Sequence, residues 1–196
     1  LLRTAPDGDV EPGLAIEWHL VDDGDAFELI LREGVTFHDG EPFDADAVAA
    51  NLDAAIQPDS GLAAELDVVE SVEVVDDHTV RLLLNGPGGH LTGVLSGYAG
   101  MMISPAALDD DLQREPVGAG PFVLTEFGET AVTFEAWDGY YAADDVTIAG
   151  IEFSTYADQS TRLRALQSGQ LDGAFLSSNQ AEEAEAGGLE VAALFQ

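Results

Sequence analysis

The sequence predicts a mixed fold of α-helices and β-strands, an α/β class with α+β character, on three observations. Short runs rich in β-branched and aromatic residues, bounded by turn residues, follow one another through residues 1–115. From residue 116 onward, helix-like and strand-like segments alternate, which is the β-α-β pattern of parallel pairing. The chain has 196 residues, of which 46% are hydrophobic, so it is long enough to bury a core of its own.

The first predicted elements are a strand and a capped helix. Residues 27–31 are short, apolar and flanked by acidic turn residues, and residues 35–37 are predicted to resume the strand. Asp44 is a candidate N-cap. A helix is predicted after it, because apolar residues recur every four positions at Val48, Leu52 and Ile56.

A hairpin and a further helix are predicted next. Residues 68–75 and 79–84 are two β-rich runs joined by a short acidic turn. Ser104 followed by Pro105 is typical of a helix start, with serine as the cap and proline at the first helical position.

The last third is predicted to alternate strands and helices. Two runs around Gly128 form a second hairpin, and Gly169 closes the first helix after it. The predicted strands are 122–127, 131–137, 147–153, 171–176 and 189–194, and the predicted helices are 158–167 and 180–186.

Charge is the most unusual property of the sequence. It carries 38 acidic residues against six arginines and no lysine, for a net charge of −32. Self-repulsion at that density destabilises a compact state in dilute salt, whereas 1 M salt shortens the Debye length to roughly 3 Å. We therefore expect a high-salt habitat; a GC-rich genome alone leaves the scarcity of arginine unexplained. The charge also argues against a nucleic-acid partner.

No catalytic, metal or cofactor motif is readable. The four histidines lack metal-ligand spacing and are interpreted as isolated turn or surface residues, and no cysteine is present for a disulfide or a nucleophile. The segment 118–120 (GAG) resembles part of a dinucleotide loop, but the third glycine is missing and Pro121 stands where a helix should begin. We expect no enzyme activity and no cofactor.

The two ends of the chain are interpreted as cuts through a longer protein. The sequence begins without methionine and ends in a strand-like run, and it contains no signal peptide and no run of about 18 apolar residues.

Three stretches carry a family resemblance. Residues 11–18 read EPGLAIEW, and residues 31–48 continue as LREGVTFHDGEPFDADAV. Residues 116–122 read PVGAGPF, with Ala119 where the family usually has threonine. The third stretch runs from Tyr140 through residues 168–172 (SGQLD). In order and spacing, these stretches resemble the family 5 extracellular solute-binding proteins, the oligopeptide-, dipeptide- and nickel-binding components of ABC importers.

The resemblance implies a type II periplasmic-binding fold in which two lobes close on a solute. Residues 1–18 and 116–196 would form part of the first lobe, residues 19–115 an extra small α+β domain, and the second lobe would lie beyond residue 196. It implies capture of peptides or similar small solutes by hinge closure, and partnership with ABC permease subunits. It also implies a monomer outside the cytoplasm, lipid-anchored through a segment upstream.

Five residues are candidate ligand contacts. Ser177, Ser178 and Asn179 follow a predicted strand at its carboxyl end, where open α/β sheets place ligands. A helix N-cap is an equally good interpretation of the same residues. Tyr98 lies in a glycine-flanked loop that would leave its ring accessible, and Leu62 is a further candidate in the small domain.

Two other functions stay open at this point. The same fold could serve as a ligand-sensing module without a transporter. A peptide hydrolase would need a nucleophile with a base, or a metal site. Arg162 and Arg164 could hold a carboxylate, or could pair with surface acids.

Overall fold

The computed structural model describes residues 1–108, 112 and 114–192. The chain divides into two units. The first unit comprises Leu1–Thr125 and Phe134–Ile151, and the second comprises Glu126–Thr133 and Glu152–Gln196.

The described residues form strands, α-helices and single 3-10 turns. The strands are β1 (Leu2–Thr4), β2 (Val10–Pro12), β3 (Ala15–Val21), β4 (Ala26–Leu31), β5 (Val69–Asp76), β6 (Thr79–Leu84), β7 (Phe122–Phe127), β8 (Ala131–Ala136) and β9 (Gly150–Ser154). The helices are α1 (Ala45–Ala55), α2 (Leu91–Val94), α3 (Gln159–Gln167) and α4 (Ser178–Ala186). The 3-10 turns are Asp22–Gly24, Tyr98–Gly100, Pro105–Ala107 and Ala143–Asp145.

An antiparallel four-stranded sheet in the order β3-β4-β6-β5 is the framework of the first unit. One face of β4 and β6 is buried at Leu29, Val80 and Leu82, each 0% exposed. Arg81 lies directly opposite Glu28 in the register, and its Nη2 donates to Glu28 Oε2 at 2.7 Å. Hydrophobic alternation and this cross-strand pair both fix the register.

Helix α1 covers the sheet and begins where the sequence predicts. The Asp44 carboxylate accepts a hydrogen bond from the Ala47 amide at 2.9 Å, which confirms the predicted N-cap. Val48 and Leu52 are buried on the face toward the core. The hairpin of β5 and β6 is confirmed as well.

Strands β7, β8 and β9 form a three-stranded sheet in that order. The Gly128 amide donates to the Ala131 carbonyl, which closes the β7-β8 hairpin. The predicted second hairpin is confirmed, and the predicted strand 147–153 is present as β9, shifted to Gly150–Ser154.

Helices α3 and α4 belong to the second unit. Asp158 Oδ1 accepts from the Thr161 amide at 2.8 Å and caps α3. Gly169 ends the helix with a φ of 74°, a left-handed conformation that glycine adopts without strain. The buried side chains include Leu163, Ala165 and Ala184.

Several predicted elements are wrong. Residues 35–37 form no strand and contribute only the isolated bridge between Thr36 and Pro42. Residues 171–176 and 189–192 are not strands, and 193–194 lie outside the described residues. A strand needs a neighbour for its amide and carbonyl groups, and no described residue pairs with either segment. Ser104–Pro105 starts only the short turn Pro105–Ala107, without a side-chain cap bond.

The predicted parallel β-α-β pairing is not formed among the described residues, because 171–176 is not a strand beside β9. The two terminal hydrogen bonds of the β8-β9 pair join Ala136 to Ala149 and Thr155 to Thr130, so these strands run antiparallel. The longest helix in the described part of the chain has 11 residues, and none there is long and apolar enough to cross a membrane.

Candidate functional site

The first unit contains a pocket of about 640 Å³, called the apolar pocket below. Its wall is formed largely by hydrophobic side chains, with a few polar groups among them. The hydrophobic members include Leu2, Met101, Met102, Val117, Phe122 and Phe134, and the polar ones include Arg3, His38, Ser96, Tyr140 and Tyr141. An apolar lining with few polar groups is typical of small-molecule sites.

A tight turn carries the two methionines into this wall. Leu91–Val94 is followed by the 3-10 turn Tyr98–Gly100, where the chain doubles back closely on itself. A Cβ atom on Gly100 would lie 1.9 Å from the carbonyl oxygen of Leu95, so only glycine fits there. Met101 then remains 63% exposed, whereas Met102 is buried at 6%.

The loop 117–121 forms another part of the wall and is fastened at both ends. The Ser104 amide donates to the Val117 carbonyl at 2.9 Å, and the Trp137 amide donates to the Pro121 carbonyl at 2.9 Å. Gly118 also forms an isolated bridge with Ile103. The glycine-rich segment therefore leads into β7 at Phe122 and is not followed by a helix.

His38 contacts this loop with its backbone and with both ring nitrogens. Its amide donates to Gly118 O at 2.8 Å, its Nδ1 lies 3.4 Å from the Gly118 amide, and its Nε2 lies 3.0 Å from Gly120 O. His38 lies in a turn, as predicted, but it is half-buried and is not isolated, because it contacts this loop. The two segments are about 80 residues apart, and no local pattern in the sequence signals their contact.

Two tyrosines supply polar groups to the pocket. The rings of Tyr140 and Tyr141 lie 4.4 Å apart, and the Arg32 guanidinium lies 4.2 Å from the centre of the Tyr141 ring. Burial, reinforced by a hydrogen bond with Tyr141, raises the pKa of Tyr140 to about 12. This phenol therefore stays protonated at neutral pH and is suited to donating a hydrogen bond.

The three polar residues predicted from the sequence lie together at the start of α4, in the second unit. Ser177 is at the N-cap position but its side chain makes no cap hydrogen bond; its carbonyl accepts from the amides of Gln180 and Ala181 at 3.0 and 3.2 Å. Ser178 Oγ donates to Asn179 Oδ1 at 3.4 Å. The capping interpretation thus applies to the backbone of Ser177 and not to its hydroxyl.

A second pocket of about 790 Å³ lies beside this helix start. Its wall includes Asp172, Phe175, Leu176, Ser178 and Glu190. The Phe175 ring is 74% exposed. The site therefore combines two carboxylates with an apolar surface and one hydroxyl.

The other two predicted contacts lie in the first unit. Tyr98 is 74% exposed and stands between Gly97 and Gly100, both of which line the apolar pocket. Leu62 is half-buried and packs against the hydrophobic core. Among the described residues, no group of three or more histidine, cysteine or acidic side chains is placed to hold a metal ion.

Comparison with known proteins identifies the family. Residues 9–192 match the sequence pattern of the family described as "bacterial extracellular solute-binding proteins, family 5 Middle". The chain belongs to this family. The resemblance predicted from the three sequence stretches is thereby confirmed.

Relatives within family 5 cover most of the chain. The glutathione-binding protein GsiB of Salmonella paratyphi A is 36% identical over 168 residues, which are 83% of this chain and 33% of that protein. The chain therefore spans about a third of the length of the curated relatives it matches.

Solved structures agree on the fold. An ABC transporter substrate-binding protein from Sinorhizobium meliloti is 34% identical, with a TM-score of 0.84, over 96% of this chain and 41% of that one. The binding protein AgaA from A. tumefacien R10, solved with agropinic acid, is 27% identical with a TM-score of 0.86, over 94% and 39%. The predicted mixed fold, as part of a periplasmic-binding protein, is confirmed.

Proposed function

We propose that the polypeptide carrying this chain captures peptides or similar small solutes outside the cytoplasm and delivers them to an ABC importer. The observation that carries the proposal is the family 5 match over residues 9–192. The GsiB proteins, named as glutathione-binding and 34–36% identical, support a peptide-like solute because glutathione is itself a small peptide.

The proposed mechanism is closure of two lobes around the solute. Residues 1–18 and 116–196 are assigned to the first lobe and residues 19–115 to the small domain. The second lobe is assigned to the part of the polypeptide that the relatives have and this chain does not span. A solute that bridges both lobes stabilises the closed state, because it binds that state more tightly than the open one.

The proposed solute contacts on this chain are those at the start of α4, together with Tyr98 and Leu62. Ser177, Ser178 and Asn179 offer hydroxyl and amide groups, and the Ser177 hydroxyl makes no cap bond that would compete. The exposed ring of Tyr98 could stack on an apolar part of a solute. Leu62 has less free surface and is the weakest of the five.

The proposed role is capture without bond-making. The relatives reported above are binding proteins, and the polar groups assigned to the solute are hydrogen-bonding groups. We propose a monomer that meets permease subunits and reaches the membrane through a lipid anchor upstream of this chain.

The first test identifies the solute. The polypeptide of the relatives' length that contains residues 1–196 is purified without denaturation, and the small molecules it carries are released and analysed by mass spectrometry. We expect short peptides or a compound with peptide-like groups. Turnover of an added peptide would overturn the proposal in favour of a hydrolase.

The second test addresses the α4 start. Each of Ser178→Ala and Asn179→Ala should raise the Kd for that solute by about 2- to 12-fold, the value of one hydrogen bond. Ser160→Ala, an exposed serine on α3, is the matched control and should leave the Kd unchanged. Equal effects of all three variants would remove these residues from the site.

A further inference from the structure

We propose that His38 is a positioning residue that holds the loop 117–121 in the wall of the apolar pocket, as a neutral imidazole with its proton on Nε2. The inference goes beyond the solute-binding proposal, since it concerns the shape of this wall whichever solute is bound.

The hydrogen bonds fix which ring nitrogen carries the proton. The Gly118 amide can only donate, so Nδ1, at 3.4 Å, must be a bare acceptor. The Gly120 carbonyl can only accept, so Nε2, at 3.0 Å, must carry a hydrogen. One tautomer of the neutral ring satisfies both contacts.

The other protonation states do not fit this arrangement. A hydrogen on Nδ1, in the second tautomer or in the imidazolium, would point at the hydrogen of the Gly118 amide. Either the loop or the ring would then have to move. The side chain therefore holds the loop in one protonation state only. The backbone bond from the His38 amide to Gly118 O at 2.8 Å does not depend on where the ring carries its proton.

Packing against Trp137 helps to hold the ring in this orientation. The Trp137 ring meets the imidazole edge-on, with centroids 4.8 Å apart and an interplanar angle of 80°. The Trp137 amide also binds the Pro121 carbonyl, so one residue supports both the ring and the far end of the loop.

Movement of the loop would change the surroundings of the two methionines in the pocket wall. A Cβ atom on Gly118 would lie 3.6 Å from the Met102 carbonyl oxygen, so the loop and the methionine segment are in close contact. The chain contains two methionines, Met101 and Met102, and both line the pocket. Their methyl groups are therefore specific probes of this wall.

The first measurement is the tautomer of His38 in the unaltered chain. Nitrogen-15 NMR of the imidazole rings at neutral pH should show proton coupling on Nε2 of His38 and a bare Nδ1. The mostly exposed His19 and His90 serve as internal references. A proton on Nδ1 of His38, in the second tautomer or in the imidazolium, would overturn the proposal.

The second measurement compares His38→Ala and His38→Asn with the control His90→Ala, whose exposed side chain makes no cap bond. His38→Ala should shift both methionine methyl signals and accelerate hydrogen exchange of the Gly118 amide about fivefold, the central value of one lost hydrogen bond. The asparagine oxygen can replace Nδ1 as acceptor, so His38→Asn should bring exchange back to within about threefold of the unaltered chain.

The outcomes separate positioning from general stability. His90→Ala should leave the methyl signals and the Gly118 exchange rate unchanged. If His38→Ala accelerates exchange equally at the Leu29 amide in the centre of the sheet, or if His38→Asn gives no recovery at Gly118, the proposal is contradicted. Should His38→Ala fail to fold, the tautomer in the unaltered chain still decides.

Discussion

Replacing Asn51 by alanine should destabilise the first unit by about 2–4 kcal/mol. Asn51 lies on α1 and is only 7% exposed. Its Nδ2 donates to Ala47 O at 2.9 Å and to Ile103 O at 2.8 Å, and its Oδ1 accepts from the Ile103 amide at 2.9 Å. The Asn51 side chain thus bonds both the backbone carbonyl and the backbone amide of Ile103.

The magnitude follows from what alanine leaves behind. Each of the two bonds to Ile103 contributes a net stabilisation of about 0.5–1.5 kcal/mol. Truncation costs more than this net value, because it leaves the Ile103 amide and carbonyl in a partly buried setting without that partner. Each orphaned group then costs about 1–3 kcal/mol where water cannot reach it, in place of the net value and not in addition to it. Partial access of water brings the expected total to the range given above.

Urea denaturation followed by tryptophan fluorescence measures this change. Both tryptophans, Trp18 and Trp137, belong to the first unit, so the signal reports its unfolding. With a slope of about 2 kcal/mol per molar urea, the midpoint should fall by about 1–2 M. Asn85→Ala, at an exposed asparagine with one long contact to Asp67 O at 3.5 Å, is the control. A loss below about 1 kcal/mol for Asn51→Ala, or equal losses for both variants, would refute the reasoning.

Three further predictions concern sterics, pH and salt. Gly100→Ala should lower the free energy of unfolding by at least about 2 kcal/mol in the same assay, because the new Cβ would clash with the Leu95 carbonyl. Gly93→Ala, with open space around the position, should be neutral or stabilising by up to about 1 kcal/mol. Equal effects of the two variants would contradict this. The Thr161 amide lowers the pKa of Asp158 below its ordinary 3.8, so the stabilisation that the ionised carboxylate gives to α3 is present above that value and is lost as pH falls through the folded pKa. Asp158→Asn should remove this loss of helicity at acid pH from a circular-dichroism titration, and an unchanged titration would speak against it. Finally, with a net charge of −32, the melting temperature should rise from low to molar NaCl, and a flat series would end the high-salt interpretation.

Local features of the fold were predictable from the sequence because neighbouring residues determine them. Asp44 caps the helix that follows it, and the helix predicted over 158–167 is present as α3. The turn between β5 and β6 lies where the acidic residues indicate. The three stretches that resemble family 5 predicted the fold as a whole.

Features that depend on distant partners were not predictable. Residues 171–176 have the composition of a strand, yet a strand requires a paired neighbour that no described residue supplies. The contacts of His38 with Gly118 and Gly120 bridge about 80 residues, and a lone histidine in a turn gives no sign of them. The same holds for Asn51, whose partner Ile103 is 52 residues away.

Isothermal titration calorimetry tests most directly whether this chain forms one half of a solute clamp. Pools of short peptides are titrated into the polypeptide of the relatives' length and, in parallel, into residues 1–196 alone. Two-lobe capture predicts saturable binding to the long polypeptide, without product formation, and binding at least about a hundredfold weaker to the 196-residue chain. Equal micromolar affinity for both would contradict it, because the solute would then need one lobe only.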